Sequence, residues 1–216
     1  MGEKIKNFLR FKFPWASLAL VFLNLIVFLW QRGGENLGIS SYLHQDYTFE
    51  WGRFIQDPLE QFPTLISNTF FHADWGHYIG NMIFFLLFGP ALEFSVGGFY
   101  LLVIYFLGGV AATFTQVFFS PVGSLLGSSG AISGVAGAIF VLHPLKMPGG
   151  LFRRYFPWTS HIPAFVYIGL WFLWNLRMGF KSLLPSAANL SPSPVAYWAH
   201  VGGFAAGAIL VLPWVL

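Results

Sequence analysis

Ser129, His200, His77 and Asn81 are the residues whose types and spacing could support a reaction. Ser129 stands in Gly127-Ser128-Ser129-Gly130, where small neighbours let the backbone turn tightly and leave room for a carbonyl to approach. A serine hydroxyl needs a base, and a neutral imidazole can take its proton and later return it to a leaving amine. His200 offers that imidazole in Ala199-His200-x-x-Gly203-x-x-x-Gly207. His77 and Asn81, four residues apart, share a helix face and can both donate to a developing oxyanion, together with the backbone N–H of Ser129. The chemistry this set suits is acyl transfer by a serine–histidine dyad, because the apolar run around His200 contains no Asp or Glu to complete a triad.

Other readings of the same residues fare less well. A G-x-S-G match alone is weak in an apolar chain rich in Gly and Ser, and Ser133, one turn further on, reads as part of a small packing ridge with Gly130, Ala136 and Gly137. His72, Asp74, His77 and His200 could be imagined around zinc. No H-E-x-x-H is present, however, and five residues on a helix rotate His72 about 140° from His77. No metal and no cofactor is expected, and His72 is expected to precede the helix and brace the loop. An aspartyl mechanism inside a membrane needs paired aspartates, and the last Asp in the chain is Asp74.

The elements that must position these residues follow from composition. Of 216 residues, 56% are hydrophobic and 9% charged, too few charges to cover a water-facing surface. Apolar runs at about 15–31, 77–94, 99–119, 127–143, 161–177 and 195–214 predict six membrane-spanning helices, since lipid leaves no partner for an open sheet edge. The first run lacks a small-residue cleavage site and reads as a retained span rather than a secretory signal. Lys4, Lys6, Arg10, Lys12, Lys146, Arg153 and Arg154, seven of eleven basic residues, fall on the side of both termini, which predicts cytoplasmic termini. Arg32, Arg53, Arg177 and Lys181 fall opposite, with six of the eight acids. On this plan His77, Asn81, Ser129 and His200 come to a similar depth just below the outer surface, and polar groups inside spans usually mark function. Glycines four apart at Gly203 and Gly207 would let the sixth span pack closely on the fourth and bring Ser129 to His200. No interleaved basic patch suggests nucleic acid, no repeated halves suggest a transporter, and the absence of cysteine excludes disulfides and thiolate metal sites.

The loop at about 32–76 carries Tyr42, Tyr47, Phe49, Trp51, Phe54, Phe62, Phe70, Phe71 and Trp75. That aromatic load predicts a structure half sunk in the outer leaflet, with packing on the protein's own outer surface as the alternative.

Taken in order, four motifs resemble the rhomboid family of intramembrane serine proteases: His72-x4-His77-x3-Asn81, Gly89-x2-Leu92-Glu93-x3-Gly97, Gly127-x-Ser129-Gly130 and Ala199-His200-x2-Gly203-x3-Gly207. The resemblance covers nearly the whole chain and implies a single rhomboid domain over 1–216, an all-α six-helix bundle with a partly embedded first loop. It implies Ser129 as nucleophile, His200 as general base and acid, an oxyanion site at His77, Asn81 and the Ser129 amide, and support from His72, Gly127, Gly130, Gly203 and Gly207. Its expected partners are membrane lipids and single-pass transmembrane substrates, cleaved near the outer membrane boundary. The expected location is a bacterial or archaeal cell membrane. The alternative is a catalytically silent relative that binds membrane clients. Two departures stand out. Trp51 and Arg53, often adjacent in the family, are separated by Gly52, and Ser133 occupies the position where some members place an aromatic under the catalytic imidazole. Tyr197 and Trp198 are the candidates to support His200 instead.

Overall fold

The computed structural model describes residues 13–38, 46–120, 123–145, 163–184 and 195–216. Tyr42 and the basic residues Lys4, Lys6, Arg10, Lys12, Lys146, Arg153 and Arg154 lie outside the described residues.

Six helices fall on the six apolar runs: α1 (Trp15–Asn36), α5 (Trp75–Val96), α6 (Gly98–Phe119), α7 (Ser129–Leu142), α8 (Ala164–Ser182) and α9 (Tyr197–Leu210). Between α1 and α5 come a strand β1 (Phe49–Glu50) and the short helices α2 (Trp51–Gln56), α3 (Pro58–Gln61) and α4 (Thr64–Ser67). A second strand, β2 (Ser124–Leu125), pairs antiparallel with β1, with Phe49 opposite Leu125. Helices α1, α5 and α6, each of 22 residues, are long and apolar enough to cross a bilayer.

The helix ends depart from the apolar runs for local reasons. Helix α5 starts at Trp75 because the Asp74 side chain caps it, accepting from the His77 amide at 2.8 Å. Gly127 has φ +116°, outside the helical region, so α7 begins at Ser129 rather than 127. Pro163 precedes α8, which then continues to Ser182. Helix α9 stops at Leu210 and gives way to a 3₁₀ turn at Leu212–Trp214, since Pro213 cannot donate to an α-helical ladder. Helix α1 overruns its apolar stretch to Asn36, because Gln31 and Gly34 still face the bundle.

Helix α7 is the centre of the molecule, and every residue from Gly130 to Ile139 is buried. Its 14 residues span only about 21 Å, short of a bilayer core, so it is enclosed by its neighbours rather than by lipid. The packing ridge differs from the one read in sequence. Gly130, Gly134 and Gly137 make the backbone contact with α9, while Ser133 turns its hydroxyl onto the Ser129 carbonyl at 2.6 Å. A Cβ at Gly203 would overlap the Gly130 carbonyl oxygen, and one at Gly207 the Gly134 carbonyl oxygen. Gly134 also meets Gly108 of α6, so the central helix is gripped through glycine on two sides.

Two side chains tie distant helix ends together. The buried Glu93 carboxylate accepts from the Ala16 amide (2.9 Å), the Ser17 amide (2.8 Å) and the Ser17 hydroxyl (2.7 Å), filling the open N-terminus of α1. Gln116 of α6 does the same for α9, its Oε1 accepting from the Ala199 amide at 3.1 Å.

The aromatic loop divides its residues. Phe49, Phe70 and Phe71 are buried, and Phe49 packs with Leu65, Val117, Trp51 and Phe54. Phe62 and Trp75 remain exposed, as do Ile55 and Leu59. Trp51 stacks on Phe54 across the intervening Gly52 and Arg53, with centroids 5.8 Å apart.

Candidate active site

Ser129 opens α7, and His200 lies one turn into α9. The glycine contact between these helices sets the side chains 2.9 Å apart, Ser129 Oγ to His200 Nε2. Both residues are half-buried. Ser129 borders a small cleft whose other walls mix short side chains at Gly127, Gly130, Ala112 and Ala199 with the longer Leu125, Leu126 and Asn68.

His77 and Asn81 come to the other side of the serine turn. A Cβ added at Gly127 would lie 3.0 Å from His77 Nε2 and 3.9 Å from Asn81 Nδ2, so both groups face the turn that presents Ser129. The Ala73 amide donates to His77 Nδ1 at 3.3 Å, and in the neutral ring this leaves the proton on Nε2, the nitrogen facing Gly127. Asn81 Nδ2 is buried without a hydrogen-bond partner. An unpaired buried donor is costly, and here it faces the turn that presents Ser129.

His72 precedes the helix, as expected from the spacing, and it holds the loop to the turn. Its backbone is clasped by Gln31, which accepts from the His72 amide at 3.1 Å and donates to the His72 carbonyl at 2.8 Å. Its ring contradicts the expectation that His72 and His77 stand apart: the chain bends at Ala73–Asp74, and the two ring centroids are 5.2 Å apart, edge to face. Nδ1 donates to the Phe70 carbonyl at 3.2 Å, which leaves Nε2 to accept from the Ser128 hydroxyl at 3.2 Å. Burial, followed by the proximity of His77, lowers the His72 pKa to about 4, so the ring is neutral near pH 7. With both nitrogens occupied, His72 is engaged as a brace.

The support for His200 does not come from Trp198. Trp198 turns away to stack on Phe119 at 3.9 Å, and its Nε1 donates to the Gly179 carbonyl at 3.1 Å. Helix α8 supplies the support instead. Asn175 Oδ1 lies 2.6 Å from His200 Nδ1, and the Trp171 ring lies 5.7 Å from the imidazole at an interplanar angle of 34°. Reading along the sequence missed Asn175. The signal that could have found it is an amide inside an apolar run, in register with the buried positions Ala164, Ile168 and Gly179.

With this geometry in view, comparison with known proteins identifies the family. The Rhomboid domain model matches residues 59–215. The chain belongs to the rhomboid family, and with its long apolar helices it is a membrane protein. It is similar to Rhomboid-related protein 2 of Mus musculus, 28% identical over 141 residues, which cover 65% of this chain and 44% of the relative. It is similar to Rhomboid-like protein 11, chloroplastic, of Arabidopsis thaliana, 29% identical over 118 residues, covering 54% and 38%. RHOMBOID-like protein 12, mitochondrial, from the same plant is 25% identical over 211 residues, covering 89% and 56%. The chain thus spans about half the length of these relatives, or less.

Proposed function

We propose that this protein is an intramembrane serine endopeptidase that cleaves single-pass transmembrane proteins near the outer membrane boundary. The observation that carries the reading is the 2.9 Å contact between Ser129 Oγ and His200 Nε2 beside a small cleft. In the reaction, Ser129 Oγ bonds to the scissile carbonyl carbon as its proton passes to His200 Nε2. The tetrahedral oxyanion accepts hydrogen bonds from the Ser129 amide, Asn81 Nδ2 and His77 Nε2–H. The C–N bond then breaks, and His200 gives its proton to the departing amine, leaving an acyl-enzyme. Water enters from the outer side, loses a proton to His200 and attacks the ester; the acyl C–O bond then breaks, His200 returns the proton to Ser129 Oγ, and the new carboxyl end is released.

On this reading all six helices form the transmembrane bundle, with the short α7 enclosed by the others. Both termini are cytoplasmic, and the exposed apolar residues of the first loop meet the outer leaflet. Substrates with small side chains beside the scissile bond suit so small a cleft, and such residues also weaken a substrate's helix and let it extend into the site.

The test is co-expression with a panel of single-pass reporters. Wild-type protein should release a fragment, while Ser129→Ala and His200→Ala should each abolish release and still fold. Release by Ser129→Ala would overturn the assignment. A folded wild-type protein that neither cleaves nor reacts with a fluorophosphonate at Ser129 would instead be a client-binding relative.

A further inference from the structure

We infer that Asn175 is a positioning residue for His200, so that the dyad is held as a Ser129–His200–Asn175 array, an inference that rests on the reading of Ser129 and His200 as the reacting pair. An asparagine side chain has a donor and an acceptor end, and which end faces the imidazole is decided by its other hydrogen bond. Asn175 Nδ2 donates to the Trp171 carbonyl at 2.8 Å, one turn back on α8. That leaves Oδ1 as the atom 2.6 Å from His200 Nδ1, and an amide oxygen only accepts. His200 must therefore carry its proton on Nδ1, which leaves the Nε2 lone pair facing the Ser129 hydroxyl at 2.9 Å. This is the tautomer that a general base at Ser129 requires.

The position of Asn175 on α8 argues the same way. The four buried residues of this helix are Ala164, Ile168, Asn175 and Gly179, one narrow stripe in which Asn175 is the only polar side chain. Burying an amide against an apolar bundle is unfavourable unless it is hydrogen-bonded, and the Trp171 carbonyl would satisfy only its donor end. The acceptor end is satisfied by the imidazole. Trp171, one turn earlier on the same helix, bounds the ring on one side. A neutral amide can orient an imidazole as a carboxylate does, without leaving a charge buried at this depth.

The experiment compares Asn175→Leu, which keeps the branched outline and removes the acceptor, with Asn175→Asp, which keeps the acceptor. Full-length protein in detergent is used, with kcat and KM measured on a cleaved reporter and ¹⁵N-histidine spectra assigned by difference with His200→Gln. Asn175→Leu should lower kcat on the order of 100-fold with little change in KM, Asn175→Asp should recover most of the loss, and wild-type His200 should carry its proton on Nδ1. An Nε2–H tautomer in the wild type would overturn the inference whether or not any reporter is cut. So would an unchanged kcat in Asn175→Leu alongside an inactive Ser129→Ala, a result that leaves the proposed function standing. Cleavage by Ser129→Ala would remove the proposed function itself, and the spectra would still decide the tautomer.

Discussion

Two consecutive serines are each hydrogen-bonded to a histidine, and the two pairs are built for different ends. Ser128 and His72 are both fully buried, their contact is 3.2 Å, and the second nitrogen of His72 is held by a backbone carbonyl. Ser129 and His200 are half-buried, their contact is 2.9 Å, and the second nitrogen of His200 is held by a side chain from α8. Ser129 borders the cleft, whereas Ser128 does not line it. A serine–histidine hydrogen bond is therefore insufficient to mark a nucleophile. What separates the pairs is burial, with the unpaired Asn81 donor across the turn from Ser129. The buried pair anchors the turn, and the turn presents the half-buried pair.

The largest expected effect would break this comparison if it failed. Ser129→Ala should abolish fluorophosphonate labelling, whereas Ser128→Ala should keep it within about tenfold of wild type, since a brace acts on position and not on the chemical step. Equal loss in both variants would dissolve the distinction. Next, Asn81→Ala should lower kcat for reporter cleavage by about 100-fold or somewhat less, the scale for one oxyanion donor, while leaving the melting temperature near that of wild type. A fall in melting temperature with unchanged kcat would make Asn81 a packing residue.

A smaller effect sharpens the role of His72. Its folded pKa of about 4 lies below the unfolded value of 6.5. Between those values the unfolded chain binds the proton more readily, so the contribution of the neutral ring is complete above pH 6.5 and is lost as pH falls toward 4. The loss amounts to roughly 3 kcal/mol at most, by the conversion of pKa shift to free energy. Thermal unfolding followed from pH 7.5 to 4 should show this decline. His72→Asn should begin from a lower melting temperature and lack that part of the slope. An identical slope in the variant would place the pH dependence elsewhere.

Much of this was legible along the chain because it is written locally. Poverty in charge and long apolar runs depend on composition alone, and the six helices fall where the runs do. Gly203 and Gly207 announce a close helix contact by their spacing, and His200 stands on the same helix, so its approach to Ser129 could be inferred. Ser129 was separable from Ser133 by the residues beside it. The helix ends were less legible, since they rest on Asp74 as a cap, on Gly127 at positive φ and on Pro213 as a stop.

Only the tertiary structure decided the partners that come from far away. Asn175 is 25 residues from His200, and His72 is 56 from Ser128. The partners in each pair lie on different elements, so no helical rule connects these residues. Which face of α8 turns inward is set by how α8 seats against α9, and the closeness of His72 to His77 is set by a bend at Ala73–Asp74 that an ideal helix would not contain. Gly134 became the second carbonyl contact on the central helix for the same reason: the crossing of α7 and α9 chose it over Ser133. The sequence by itself determined a membrane-embedded helical chain and pointed to a serine and a histidine within reach of each other, because those properties reside in composition and short motifs. The fold decided what holds each of them in place, because that depends on surfaces assembled from helices distant in the chain.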